Sequence, residues 1–306
     1  MIQRVPIPLC GVALGLAALG NLLQSYSESV RTICGILSGL LLVLVLLKCI
    51  CFPKQIAEEF KNPIMASVAG TFSMALMLLS AYLKPLLGAS AVGLWYFAIF
   101  LHLALIVFFT LRFLLHLQMP KVFASYFIVY VGIAVAGVSA PAFDQLAVGT
   151  ASFWFGLITF LALLVLVTIR YIRYREVPPP AQPLICIYAA PASLCVAAYI
   201  QSVTPKSFPF LMALYGIAAV LYLFGLVQAV QKLRLPFFPS YAAFTFPFVI
   251  SAIASKQTMA CTAKLGMPQP WLNSVVLAET VIAAVLVVYT LIRFLQFLFR
   301  TPAKAN

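Results

Sequence analysis

Few residues of this chain could do chemistry, and most of them stand alone. Among 306 residues there are six acidic side chains and two histidines. Glu279 lies inside an apolar run, VLAETVIAA, with no cation near it in sequence. An ionisable group in such a setting is a candidate intramembrane acid, able to take up and release a proton. The structural alternative is a carboxyl that is protonated, or bonded to a neighbour where copies of the chain meet. His102 and His116 are fourteen residues apart, too far along one helix to share a metal. Cys49 and Cys51 form KCIC with no further Cys or His beside them. No metal or cofactor is expected. The seven cysteines cannot all pair, only Cys261 sits in what reads as an outer loop, and free thiols are expected. No nucleophile–base pair and no His/Asp/Glu cluster falls at one depth of the chain, which weighs against an enzyme.

Prolines carry more meaning. In AFTFPFV, Pro247 stands between Phe246 and Phe248. Pro247 cannot donate to the carbonyl of Ala243, nor Pro191 to that of Ile187. Inside lipid an orphaned carbonyl is costly, so such breaks belong where protein or water can satisfy them. Phe246 beside such a bend could project into a water-accessible path and close it as a hydrophobic constriction. Ordinary interhelical packing is the competing reading of the same ring.

The elements that must position these residues are membrane spans. The chain is 64% hydrophobic and 8% charged, outside the range of soluble domains. Ten apolar spans are expected, near 7–25, 31–52, 63–83, 86–115, 123–142, 147–172, 183–202, 208–231, 239–256 and 271–298. Residues 1–306 form one transmembrane domain, and no segment is long and polar enough for a soluble one. The net charge of +13 reflects short basic loops, not a nucleic-acid surface. Arg4, Lys48, Lys54, Lys61, Arg112, Lys121, Arg170, Arg173, Arg175, Lys232, Arg234, Arg293, Arg300 and Lys304 fall at the termini or after even-numbered spans. Only Arg31, Lys84, Lys206, Lys256 and Lys264 fall on the other side. The positive-inside rule then puts both termini in the cytoplasm.

A repeat underlies the spans. Each odd-numbered span opens near a proline, at Pro6, Pro63, Pro120, Pro183 and Pro239, with spacings of 57, 57, 63 and 56. A second breaker follows at similar depth: Gly15, Gly70, Gly132, Pro191 and Pro247. Five tandem helical hairpins are the economical reading, with these residues as kinks of the odd-numbered helices. Odd spans hold small residues and hydroxyls, as in PIMASVAGTFSMA and YAAPASLCVAAY, whereas even spans are greasier, as in LLLVLVLL. Odd helices therefore suit an interior ring and even helices a lipid-facing one. The odd spans hold no acidic residue and no histidine. A path between them lacks the carboxylate ring of a cation channel, and its basic rims would concentrate anions.

Three stretches also resemble one family. GVALGLAAL (11–19) looks like the first-helix signature of the TehA and plant slow-anion-channel family. APASLCVAAYI (190–200) is similar to its seventh helix, and AFTFPFV (243–249) to its ninth. The resemblance implies a homotrimer whose protomers each have five inner helices around a pore, five outer helices, and a phenylalanine, here Phe246, occluding that pore. It implies a gated channel for small anions such as chloride or nitrate in the plasma membrane, a bacterial inner membrane by the chain's brevity. The alternative is a secondary transporter exporting dicarboxylate, sulfite or tellurite-related oxyanions, with Glu279 carrying protons. Family members often have prolines in the third and fifth helices where this chain has Gly70 and Gly132.

Overall fold

The computed structural model describes residues 2–299. Arg300 and Lys304, counted above with the inner basic residues, lie outside the described residues. The fold is helical, with no strand among the described residues. Ten helical segments follow one another: α1 (Leu9–Leu23), α2 (Glu28–Cys51), α3 (Pro63–Leu87), α4 (Ser90–Leu114), α5 (Tyr126–Phe143), α6 (Leu146–Arg173), α7 (Pro179–Ser202), α8 (Phe208–Lys232), α9 (Phe246–Lys264) and α10 (Leu272–Phe299). Eight of them, all but α1 and α9, are long and apolar enough to cross a bilayer. So many apolar helices in succession make this a multi-pass membrane protein.

Side chains at the connections set the helix ends. Ser27 Oγ accepts from Val30 N–H at the start of α2, and Asn62 Oδ1 from Ile64 N–H at the start of α3. Pro63 and Pro209 occupy first turns, where a missing N–H costs nothing. The helix ends depart from the hydropathy boundaries in two places. The fourth span was expected from residue 86, but Pro85 belongs to the last turn of α3. Gly88 makes the turn with φ +56, a conformation that favours glycine, and α4 starts at Ser90. The ninth span was expected to end at 256, but α9 runs to Lys264. Residues such as Lys, Gln, Met and Ala keep a helix going after hydropathy has fallen. Cys261 is therefore inside a helix and buried, not in a loop.

Packing divides the helices. The odd-numbered ones touch in a closed cycle, α1 on α3, α3 on α5, α5 on α7, α7 on α9 and α9 on α1. Each even-numbered helix lies against the odd one before it. Of the most apolar stretch, 89% is buried in α7 and 78% in α5, against 28% in α4 and 33% in α6. Leu, Val, Ile and Phe side chains on the even helices are left exposed, as lipid requires. A short helix, Pro53–Glu59, links α2 to α3, and Glu59 reaches back to Lys48 at 2.6 Å.

Candidate functional site

Four of the five odd-numbered segments are interrupted part-way or entered through a 3-10 turn. In α3, Ala69 separates a helix over Pro63–Val68 from one over Gly70–Leu87. In α5, a tight turn over Val131–Ile133 surrounds Gly132. In α7, a 3-10 stretch over Pro179–Ala189 gives way to an α-helix at Ala190, with Pro191 in its first turn. Before α9, the 3-10 turn Pro239–Phe244 ends at Thr245, with φ −99 and ψ −94, and Phe246 and Pro247 start the α-helix.

Carbonyls near these breaks are taken up by neighbouring side chains. Ser193 and Ser251 hydroxyls both donate to Ala189 O, each at 3.0 Å. Ser73 Oγ donates to Gly70 O at 3.0 Å. His102, buried on α4, places Nδ1 2.8 Å from Ser73 Oγ and Nε2 3.0 Å from Val129 O. Val129 O can only accept, so a neutral His102 carries its proton on Nε2 and accepts at Nδ1, which leaves the single Ser73 hydroxyl proton shared between Gly70 O and Nδ1. The interior of the bundle thus supplies the partners that lipid lacks.

By contrast α1 runs unbroken through Gly15. Gly15 serves a close approach instead. A Cβ there would lie 2.6 Å from Thr245 Cβ and 3.1 Å from Phe246 N, so only glycine lets α1 lie against the start of α9. Thr245 Oγ1 clamps the same contact by donating to Gly11 O at 2.9 Å.

Two cavities open between these helices. The larger, of 1540 Å³, is lined by the proline-bearing ends of α3, α5 and α7, the start of α1, the approach to α9 and the end of α6. The smaller, of 310 Å³, is lined by α1, α3, α5, α7 and α9 together with Arg31 of α2. Two residues line both cavities, Phe246 and Leu194. Leu14 and Met74 border the larger cavity one turn from Ala18 and Leu78, which border the smaller. The division between the cavities therefore sits at one level of all the odd-numbered helices.

The residues singled out by sequence fall into three groups. Phe246, Pro247, Pro191 and Gly132 line the larger cavity. Gly15 and Gly70 lie behind its wall as packing positions, Gly70 against Leu105 of α4 and Ile128 of α5. Glu279 lines neither cavity. It lies against α9, its Oε2 is buried without a hydrogen-bond partner, and on α9 the Ser255 Oγ is 3.0 Å from Tyr215 Oη of α8. Its side chain is buried within a single chain, so a contact with another copy is not what shields it. Phe248 is fully buried away from both cavities, with its ring edge-on to Tyr222 at 5.9 Å.

Charge at the larger cavity is mostly positive. The larger has Lys61, Lys121, Arg170, Arg173 and Arg175 against Glu58 and Glu176, and Glu58 is tied to Lys61 at 2.7 Å. The smaller has Arg31, bonded to Glu28 at 2.7 Å, and the amides of Asn21, Gln24, Gln201 and Gln257. Among the described residues no cluster of three His, Cys, Asp or Glu could hold a metal. Sequence reasoning missed Leu194 and Met74, and weighed His102 for a metal without finding the carbonyl it serves. A histidine in an apolar span was the one available signal, since burying it demands partners.

A comparison with curated proteins finds no match. The family model described as voltage-dependent anion channel matches residues 4–295, nearly the whole chain. The apolar helices, the cavities between their broken members and this match agree, and the chain belongs to the voltage-dependent anion channel (SLAC1) family.

Proposed function

We propose that the protein is a gated anion channel in which each protomer has its own pore. Ten helices cross the membrane as five hairpins, with the odd-numbered helices around the pore and the even-numbered ones facing lipid. The larger cavity is the cytoplasmic vestibule, the smaller the external one, and both termini are cytoplasmic. Phe246 closes the path between them. The protomers assemble as a homotrimer in the plasma membrane. One observation carries this reading: two cavities lined by the same five helices meet at Phe246 and Leu194. The basic lining of the larger cavity favours anions, and the absence of an acidic side chain at the division leaves no cation-selective ring.

Proton-coupled export of oxyanions has less support, because Glu279 lies outside both cavities. The deciding measurement is the reversal potential of the purified protein in planar bilayers under chloride, nitrate and potassium gradients. Anions should permeate in preference to potassium, with nitrate equal to or above chloride, since a division bordered by Phe246 and Leu194, without charged ligands, selects by dehydration cost. Cation preference would sink the reading, and a reversal potential that follows the proton gradient would favour a carrier.

A further inference from the structure

Arg170 is the only charged side chain of the larger cavity's lining that is buried, at 1% exposure; the others there are exposed. Its guanidinium is held in place on several sides. Nη1 donates to Tyr174 O at 3.2 Å, and Nη2 to Pro120 O at 3.1 Å and Glu176 O at 3.4 Å. The rings of Phe123 and Tyr171 lie 4.4 and 4.8 Å from its central carbon. Three of the five N–H groups are spent in this way; of the other two, Nε–H is buried and has no partner.

What this arrangement lacks is a counter-charge. Carbonyls satisfy N–H groups but carry no net charge. The ion pairs among the described residues are Arg31–Glu28, Lys48–Glu59 and Lys61–Glu58, and none includes Arg170. Lys48, equally buried, has the Glu59 carboxylate at 2.6 Å. A buried charge without a partner is costly, and removing its counter-ion is one of the most damaging changes a site can suffer. A guanidinium kept rigid at a cavity wall with two of its five donors unspent is unusual as a mere staple.

We infer that Arg170 is an anion-binding station at the inner vestibule, and that its ligand is a small inorganic anion on its way to or from Phe246. The inference rests on the channel reading of the cavity. A fixed charge with two N–H groups unspent and aromatic rings beside it holds an ion weakly, as permeation requires: entry must be favourable and exit must remain easy. A weakly hydrated anion such as nitrate suits a wall that replaces few of its waters. Lys121, Arg173 and Arg175 on the exposed rim gather anions toward the station.

The test uses Arg170→Gln and Arg170→Lys in a Phe246→Ala background, with equal nitrate on both sides of a bilayer. Arg170→Gln should lower the nitrate current that starts from the Arg170 side about tenfold relative to the opposite direction, the lower end of what a focusing charge contributes. Arg170→Lys keeps the charge but not the carbonyl bonds, and should hold that ratio within about twofold of its parent. Equal damage from both variants would show a staple alone, and an unchanged ratio in Arg170→Gln would remove the station. An effect present only in bilayers with anionic lipid would assign the charge to a headgroup and overturn the inference. Cation preference in the Phe246→Ala parent would sink the channel reading instead, which keeps the two failures distinct. Where the parent is silent or the variants do not fold, melting of the unaltered protein decides. Nitrate replacing gluconate at constant ionic strength should raise its melting temperature saturably, an effect retained by Arg173→Gln, and no such rise would overturn the inference.

Discussion

Truncating Phe246 separates a gate from a core residue more sharply than any other change. Phe246 is 6% exposed, which by itself is the burial of a core side chain. A fully packed phenylalanine cut to alanine costs about 3–5 kcal/mol. Phe246, however, borders empty space on two sides, one cavity above and one below. A side chain facing a void has no partner atoms there and loses little when it goes. Phe246→Ala should therefore cost less than about 3 kcal/mol, the lower bound of that core range. Phe248→Ala, which removes a ring packed on Tyr222 with no exposed surface, should cost the full amount.

The electrical outcome should run the other way. Removing the Phe246 ring joins the cavities, and anion current should rise at least tenfold, equivalent to lowering the barrier by about 1.4 kcal/mol. Phe248→Ala should leave the current at its resting level. Planar-bilayer recording gives the currents, and melting in detergent gives the stabilities. Two results would refute the reasoning: Phe246→Ala as unstable as Phe248→Ala and silent, or Phe248→Ala conducting while Phe246→Ala does not.

Other outcomes follow from the same geometry. Gly132→Ala should destabilise by about 1–3 kcal/mol through overpacking, because the new Cβ would lie 2.9 Å from His102 Cε1, and that ring is fixed by Ser73 and Val129. Gly39→Ala meets nothing within 4 Å and should stabilise by about 0.5–1 kcal/mol in the same melting assay. Leu194→Ala should raise anion current, though less than Phe246→Ala, because Leu194 is the other residue bordering both cavities; no change would place the closure on Phe246 alone. Glu279→Gln should leave bi-ionic reversal potentials unchanged, while a shift would bring the carboxyl into the permeation path. Lys264→Cys, exposed near the end of α9, should react with an impermeant thiol reagent from outside intact cells; labelling only in everted vesicles would reverse the orientation.

Much of the fold is legible in the sequence, because hydropathy reports directly on what lipid tolerates. Apolar runs mark where helices pass through a bilayer, and the small residues of α3, α5 and α7 mark which ones other helices surround. Helix ends are less legible, since hydropathy shows where polarity begins and not where the backbone stops being helical. That is why α9 continues past residue 256 and α3 takes Pro85. The breaks divide along the same line. Proline at 191 and 247 removes a donor by its covalent structure, so a change of pitch beside it can be read from the residue alone. A glycine only permits. Gly132 sits within a tight turn, Gly70 just after a junction, and Gly15 in the middle of an intact helix. What decides among them is the neighbour: His102 from α4 supplies the Val129 carbonyl with a partner at one, and Thr245 needs the room of a missing Cβ at another. Leu194 could not be singled out by any local signal, because a constriction depends on how several helices are rotated about their axes. Arg170 was visible only as one of many inner basic residues. Its distinction lies in what surrounds it: three carbonyls and two rings, but no carboxylate.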